Sequence, residues 1–181
     1  MNSANSLFRI ITLCIGLAWV LSVGLVRVGW AGDDMSDAAR RAKIEALYRD
    51  YKKEFAGVQD IEPAEAMRLL QEGKALLVDV REEKEQKVSM LPGAVTEKQF
   101  LKDPGAYRDH TLIGYCTISY RSGKLAEKLK AQGVVMLNLR GGLLAWVHDG
   151  GKVYDRNGET RRIHVYGRKW DLGPKDYEAV W

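Results

Sequence analysis

The chain has 181 residues, of which 46% are apolar and 29% charged, a balance typical of a compact globular domain and not of a disordered or fibrous protein. Its formal net charge is +4. Arg9 and Arg27 are the only charged side chains in the first 31 positions, so the remainder has 26 basic and 24 acidic residues. That excess is too small for nucleic-acid binding, and we expect no nucleic-acid partner.

The first element, residues 1–31, is interpreted as a signal peptide or a membrane anchor. Residues 10–26 carry no charge. Their length lies between the apolar core of a signal peptide, about 7–15 residues, and a membrane span, about 17–25 residues. Small residues at Gly29 and Ala31 suit cleavage before Gly32, which favours a cleaved signal peptide over a retained anchor. Both interpretations predict export, to the periplasm of a bacterium, and the anchor would attach the protein to the membrane through residues 10–26.

The second element, residues 32–56, is expected to be an amphipathic helical linker. Its apolar residues recur at helical spacing before Gly57 ends the pattern, and they are Ile44, Leu47, Tyr48, Tyr51 and Phe55.

The third element, residues 57–151, has the pattern of an α/β domain. A short strand over 58–61 precedes a helix that starts at Pro63 and stops at Gly73. Three apolar runs then follow, at 75–80, 111–115 and 134–139. Runs that are apolar on both faces, separated by helical patterns, indicate a small parallel sheet flanked by helices.

The carboxyl ends of these strands are where working residues are expected in such a sheet, and Asp79, Arg81 and Cys116 all fall there. The segment 141–151 predicts a short helix with Trp146 in the core. In the C-terminal segment, residues 152–181, Asn157 and Gly158 lie between strand-like arms and predict a hairpin extension.

The stretch YCTISYRSG, residues 115–123, places a cysteine where a strand ends and a helix begins. The backbone N–H groups of such a loop, together with the helix dipole, stabilise negative charge and therefore a thiolate. Arg121 adds a positive charge to the same loop. Because Cys14 belongs to the export segment, Cys116 is the lone cysteine of the exported part, which can form no internal disulfide. The alternative is a buried cysteine that packs as a small apolar side chain.

Four motifs occur in order: DVR at 79–81, LPGA at 91–94, CTISYRS at 116–122 and GGLLAW at 141–146. Together they resemble the rhodanese family of sulfurtransferases. The sequence departs from the family at Ser89-Met90-Leu91, where Gly-His-Ile is usual, and in the loop interior Thr117–Tyr120, which leaves the sulfur donor open.

The resemblance implies covalent sulfur transfer through a persulfide on Cys116, from a small sulfur-containing anion such as thiosulfate to a thiol or to cyanide. The backbone of the active-site loop, with Arg121, would hold the charged sulfur, and Asp79 and Arg81 would brace that loop. The loop residues are Thr117, Ile118, Ser119 and Tyr120. No metal or organic cofactor is implied, since the three histidines lack ligand spacing.

Two alternatives remain beside sulfur transfer. A dual-specificity phosphatase has a similar loop with five residues between cysteine and arginine, whereas this sequence has four. A non-catalytic rhodanese-like module would bind a partner or carry sulfur without turnover.

Overall fold

The computed structural model describes residues 35–181, so the expected export segment, with Cys14 and residues 10–26, lies outside the described residues. Within the described range, no helix combines the length and apolar character needed to cross a membrane.

The described chain alternates helices and strands. Its α-helices are α1 Asp37–Lys52, α2 Pro63–Gln71, α3 Glu83–Gln86, α4 Glu97–Lys102, α5 Tyr120–Lys130 and α6 Gly142–His148. Its strands are β1 Asp60–Ile61, β2 Ala75–Asp79, β3 Val95–Thr96, β4 Thr111–Tyr115, β5 Leu137–Leu139, β6 Val153–Asp155, β7 Gly158–Thr160, β8 Arg162–His164 and β9 Glu178–Val180.

The central sheet has five strands in the order β1-β5-β4-β2-β3, and every pair in it is parallel. The expected α/β fold with a small parallel sheet and flanking helices is therefore confirmed. The apolar run 111–115 coincides with β4. The run 134–139 yields only three strand residues, Leu137–Leu139, and the Met136 side chain before them packs against Gly114.

Two apolar cores lie on opposite faces of the sheet, as expected when helices cover both sides. Adjacent strand residues point to opposite faces, so Leu77 of β2 belongs to one core and Val78 to the other. The first core includes residues of α2 and α6, and the second includes residues of α4 and α5. This packing fixes the carboxyl ends of β2 and β4 side by side.

Helix α1 packs on this domain rather than extending away from it. Ser36 caps its N-terminus by accepting a hydrogen bond from the Ala39 N–H, and Ile44 and Tyr48 are buried on its inner face. Tyr51, one turn further on, contacts both cores.

The C-terminal segment starts with the hairpin of β6 and β7, in which Asp155 pairs with Gly158. The turn residues are thus Arg156 and Asn157, one position earlier than Asn157-Gly158. The rest of the segment returns along the domain, where β8 and β9 pair in parallel.

Candidate active site

Cys116 follows directly after β4 and is 2% exposed. The loop that follows it ends at Ser119, which adopts a left-handed backbone (φ 75°), and α5 begins at Tyr120. A left-handed conformation is unfavourable for serine, and two contacts hold it. The Ser119 hydroxyl donates to the Leu139 carbonyl, and the Asn138 amide donates to the Ser119 carbonyl at 3.1 Å.

Three carbonyl groups of this loop are held by donors from neighbouring elements. Leu143 N–H and Leu144 N–H at the start of α6 donate to the carbonyls of Cys116 and Thr117, at 2.9 and 3.2 Å. The third is the Ser119 carbonyl. In a trans peptide the C=O and the following N–H point in opposite directions, and no peptide of the described chain is cis.

The N–H groups of the same three peptides therefore point away from those donors. They belong to Thr117, Ile118 and Tyr120, and no residue of the described chain accepts a hydrogen bond from the Thr117 or Ile118 N–H. Backbone N–H groups beside a cysteine are donors suited to an anion or a charged sulfur.

Gly142 lets α6 approach the loop closely enough to make these contacts. A Cβ at this position would lie 2.4 Å from the Cys116 carbonyl oxygen and 2.9 Å from the Ile118 nitrogen. Its φ of 59° is also in the region that favours glycine. The glycine at position 142 of the motif 141–146 is therefore explained, because it allows α6 to pack against the loop.

The positive charge of Arg121, which the sequence placed in this loop, is paired with a buried carboxylate. Its two terminal nitrogens donate to the two carboxylate oxygens of Glu85, at 2.6 and 2.8 Å. Glu85 is fully buried and lies in α3. Burial alone would raise the pKa of Glu85, but the hydrogen bonds from Arg121 and from the Glu82 N–H lower it overall.

Asp79 and Arg81 lie behind the loop and form a buried pair of their own. Arg81 donates to both carboxylate oxygens of Asp79, at 2.9 and 2.7 Å, and to the Ser89 carbonyl at 2.6 Å. The Tyr115 hydroxyl donates to Asp79 at 2.6 Å and accepts from the Leu91 N–H at 3.1 Å. The pair therefore fixes the residue before Cys116 and the turn around Leu91.

A pocket of about 280 Å³ opens over the cysteine. Its lining residues are Glu82, Cys116, Thr117, Ile118, Tyr120, Arg121, Tyr166 and Trp170. The structure thus brings Cys116, Arg121 and three of the four loop residues to one cavity. Ser119 is buried beneath it, and Asp79 and Arg81 do not line it.

Two histidines for which the sequence predicted no role make contacts with the C-terminal segment. His164 lies with its Nδ1 3.8 Å from a Glu85 oxygen, and the same nitrogen accepts from the Tyr166 N–H at 3.1 Å. His148 donates from Nε2 to the Leu172 carbonyl at 2.7 Å. Residues 35–181 hold no cluster of side chains suited to a metal ion.

Sequence reasoning missed Glu85, Asn138, Tyr166 and Trp170. Glu85 sits in a run of charges, REEKEQK, that is typical of a solvated helix. One local signal was available, because Glu82 and Glu85 have the spacing of an N-terminal capping pair, and the Glu82 N–H does donate to Glu85 at 2.9 Å.

The comparisons with known proteins bear on the family and the fold. A family model described as "Rhodanese-like domain" matches residues 62–149. A thiosulfate sulfurtransferase from Pseudomonas aeruginosa is similar in structure, with a TM-score of 0.50 and 16% identity over 62% of this chain and 23% of that one. No curated relative matches the chain.

Two further solved structures are similar over smaller or less well superposed regions. The BH2092 protein from Bacillus halodurans has a TM-score of 0.48 and 22% identity, over 62% of this chain and 87% of that one. A rhodanese-like domain protein from Staphylococcus aureus has a TM-score of 0.43 and 28% identity, over 49% of this chain and 91% of that one.

Proposed function

The chain carries a rhodanese-like domain, and from this premise we propose that it is a sulfurtransferase that works through a persulfide on Cys116. The observation that carries the proposal is the loop itself. Its N–H groups at Thr117, Ile118 and Tyr120 are turned away from the elements that hold its carbonyls, beside a cysteine in a pocket. The thiosulfate sulfurtransferase of Pseudomonas aeruginosa, to which the chain is similar in fold, adds support at the level of the reaction class.

In the first step the Cys116 thiolate attacks the outer sulfur of a donor such as thiosulfate. A new S–S bond forms on Cys116 while the S–S bond of the donor breaks, and its electron pair leaves with sulfite. The three charges of the reactants become one charge on the persulfide and two on sulfite. The loop N–H groups stabilise the persulfide charge, as the donors of an oxyanion hole stabilise theirs.

In the second step a nucleophile attacks the outer persulfide sulfur and regenerates the Cys116 thiolate. Cyanide gives thiocyanate, and a thiolate gives a new persulfide. Each step exchanges one S–S or S–nucleophile bond, so the cycle needs no oxidant or reductant.

The engagement of Arg121 weighs against the phosphatase alternative. An arginine that grips phosphate does so with two parallel N–H donors, and two of the five N–H donors of Arg121 are already directed at Glu85. Aryl phosphate hydrolysis by the native protein is accordingly expected to be negligible beside sulfur transfer.

The test is thiocyanate formation by the full-length protein and two matched variants. Cys116→Ser should reduce turnover with thiosulfate and cyanide by at least about a thousandfold, because the nucleophile is removed. Cys14→Ser, the same change at the other cysteine, should leave it unaltered. Equal turnover in both variants would refute the function, and absent turnover in the native protein with every donor would favour the binding or carrier module.

Export is a separate proposal, supported by the charge-free run 10–26. A reporter enzyme that is active only outside the cytoplasm, fused after Trp181, should be active. The N-terminal sequence of the mature protein would then distinguish cleavage after Ala31 from a retained anchor, and a reporter active only in the cytoplasmic orientation would refute export.

A further inference from the structure

The pocket above Cys116 is partly built by the C-terminal segment, outside the matched residues 62–149. Tyr166 and Trp170 come from that segment, and with Tyr120 they supply three aromatic side chains among the eight lining residues. These three residues are termed the aromatic wall.

Contacts with residues of α1, α5 and β8 position the aromatic wall. The Tyr166 ring lies 5.5 Å from the Arg121 guanidinium, and its backbone is left-handed (φ 67°) and bonded to His164. Tyr51 of α1 contacts Tyr120 and Trp170, with ring centroids 5.1 and 6.1 Å apart. A non-glycine residue held in this conformation at a pocket is a feature commonly found at functional sites.

The segment that carries the aromatic wall is anchored to the domain at both ends. Ile163 and Val165, on one side of Tyr166, are fully buried in the first core, and Leu172 beyond Trp170 is also buried there. Arg40 of α1 donates to the carbonyls of Asp171 and Gly173, each at 3.0 Å. The aromatic wall is therefore a fixed part of the pocket.

Charge and volume at this pocket disfavour a small inorganic dianion as the best substrate. Within the described chain, Arg121 is the one cation among the lining residues, and Glu85 neutralises it. The other charged lining residue, Glu82, is itself paired with Lys84. The volume of about 280 Å³ exceeds the roughly 150 Å³ of a cavity that accommodates benzene. The space beyond the reacting sulfur is thus large, aromatic and without a free cation.

We propose that the aromatic wall recognises a sulfur donor bearing a flat apolar group, of the organic thiosulfonate class, in preference to thiosulfate. This inference rests on the proposed sulfur-transfer function and names the substrate class of the same site. The Cys116 thiolate attacks the outer sulfur of R–SO₂–S⁻, the S–S bond of the donor breaks, and its electron pair leaves with the sulfinate R–SO₂⁻. Two negative charges enter and two leave, and the R group stacks on the aromatic wall.

The experiment compares kcat/KM of the full-length protein for benzenethiosulfonate, methanethiosulfonate and thiosulfate, with cyanide as acceptor. The native protein should prefer the phenyl donor to the other two. Tyr166→Ala and Trp170→Ala should each lower kcat/KM for the phenyl donor about threefold to tenfold, the range for loss of one aromatic contact. Both should lower kcat/KM for thiosulfate by a smaller factor, so that the preference for the phenyl donor over thiosulfate falls.

Matched variants separate recognition from folding. Tyr166→Phe and Trp170→Phe keep an aromatic ring and should retain the preference. Tyr154→Ala removes a tyrosine from the same segment, away from the pocket lining, and should change nothing. Equal losses for all three donors, or no preference for phenyl over methyl in the native protein, would overturn the recognition and leave sulfur transfer standing. No persulfide or thiocyanate from any donor would overturn sulfur transfer and the recognition with it.

Discussion

The active-site loop and the C-terminal segment meet at one pocket but are built in different ways. The loop residues 116–119 are held by hydrogen bonds with the α6 main chain and with β5, where the Asn138 side chain is the donor, and both elements belong to the matched domain. The aromatic residues of the C-terminal segment are held by ring contacts and by burial of their neighbours in the first core.

This difference assigns the two regions different parts of the proposed reaction. Backbone donors fixed at a cysteine stabilise a charged sulfur whatever the donor molecule is. Aromatic side chains at the mouth of the pocket discriminate between donors by shape and stacking. A change in the loop should therefore damage transfer from every donor, and a change in the segment should alter the choice among them.

The largest effect on turnover is expected from Gly142→Ala, which changes the contact between α6 and the active-site loop. The new Cβ would meet the Cys116 carbonyl oxygen at 2.4 Å, so the loop must shift, and misplacement of about 1 Å can cost roughly a hundredfold in rate. Turnover should fall about that much for all three donors, as measured by thiocyanate formation.

Gly150→Ala is the matched control for that variant. It also has a positive φ, of 84°, but a Cβ there meets nothing within 4 Å. It should lower stability by about 1 kcal/mol through backbone strain and leave turnover unchanged. If the two variants have equal activity, the contact between α6 and the loop is not what organises the donors.

A smaller effect on activity, together with a loss of stability, is expected from Glu85→Gln. This variant removes the charge of Glu85 and keeps the shape of its side chain. It removes the negative charge that neutralises Arg121 and leaves one amide oxygen that can accept a hydrogen bond. Loss of one member of a fully buried pair costs about 3–5 kcal/mol, and the Arg121 side chain is 30% exposed, so we expect about 2 kcal/mol. The freed guanidinium should lower KM for thiosulfate more than KM for benzenethiosulfonate.

Glu83→Gln provides the comparison for Glu85→Gln. Glu83 pairs with Lys87 on the surface, where the two side chains are 81% and 72% exposed. The free energy of unfolding in urea should stay close to that of the native protein, because an exposed pair contributes little, and KM should not change. An unaltered KM for thiosulfate in Glu85→Gln would contradict the view that Glu85 masks the cation.

The smallest effect is a change of stability with pH, which we expect from two histidines where the C-terminal segment meets the domain. Burial lowers the pKa of His148 and of His164, so both are held neutral in the folded protein. A histidine with a depressed folded pKa takes up protons more readily when unfolded. Its stabilising contribution is therefore present above the unfolded pKa of about 6.5 and is lost as pH falls below it.

The Tm should accordingly fall as pH is lowered from 7.5 to 5.5, and the fall should be smaller in His148→Gln. His110→Gln, at an exposed position, should retain the full decrease. An identical decrease in the native protein and both variants would show that His148 does not contribute to the pH dependence of the Tm.

The sequence was sufficient for the parts of the molecule that depend on local pattern. The apolar run 111–115 has the same bounds as strand β4, and Cys116 lies at its end. The sequence also placed the start of a helix after that cysteine, and α5 starts at Tyr120, directly after Ser119 in its left-handed conformation.

The parts that depend on distant contacts could not be predicted. Strands β8 and β9 have three residues each and pair across sixteen positions, with Arg162 opposite Glu178, so neither has a recognisable pattern alone. Tyr166 and Trp170 likewise reach the pocket only because that pairing and the burial of Leu172 fold the segment back. The local sequence predicts that Glu85 is a surface residue, because its pairing with Arg121 depends on the fold.

The central claim, a persulfide on Cys116, is tested most directly by intact mass of Cys14→Ser protein, in which Cys116 is the only thiol. After exposure to thiosulfate or benzenethiosulfonate and removal of the donor, the mass should rise by one sulfur atom. Dithiothreitol should then restore the original mass. The doubly substituted protein with Cys116→Ser should gain nothing. An unchanged mass with both donors, or a gain that persists without Cys116, would contradict the account.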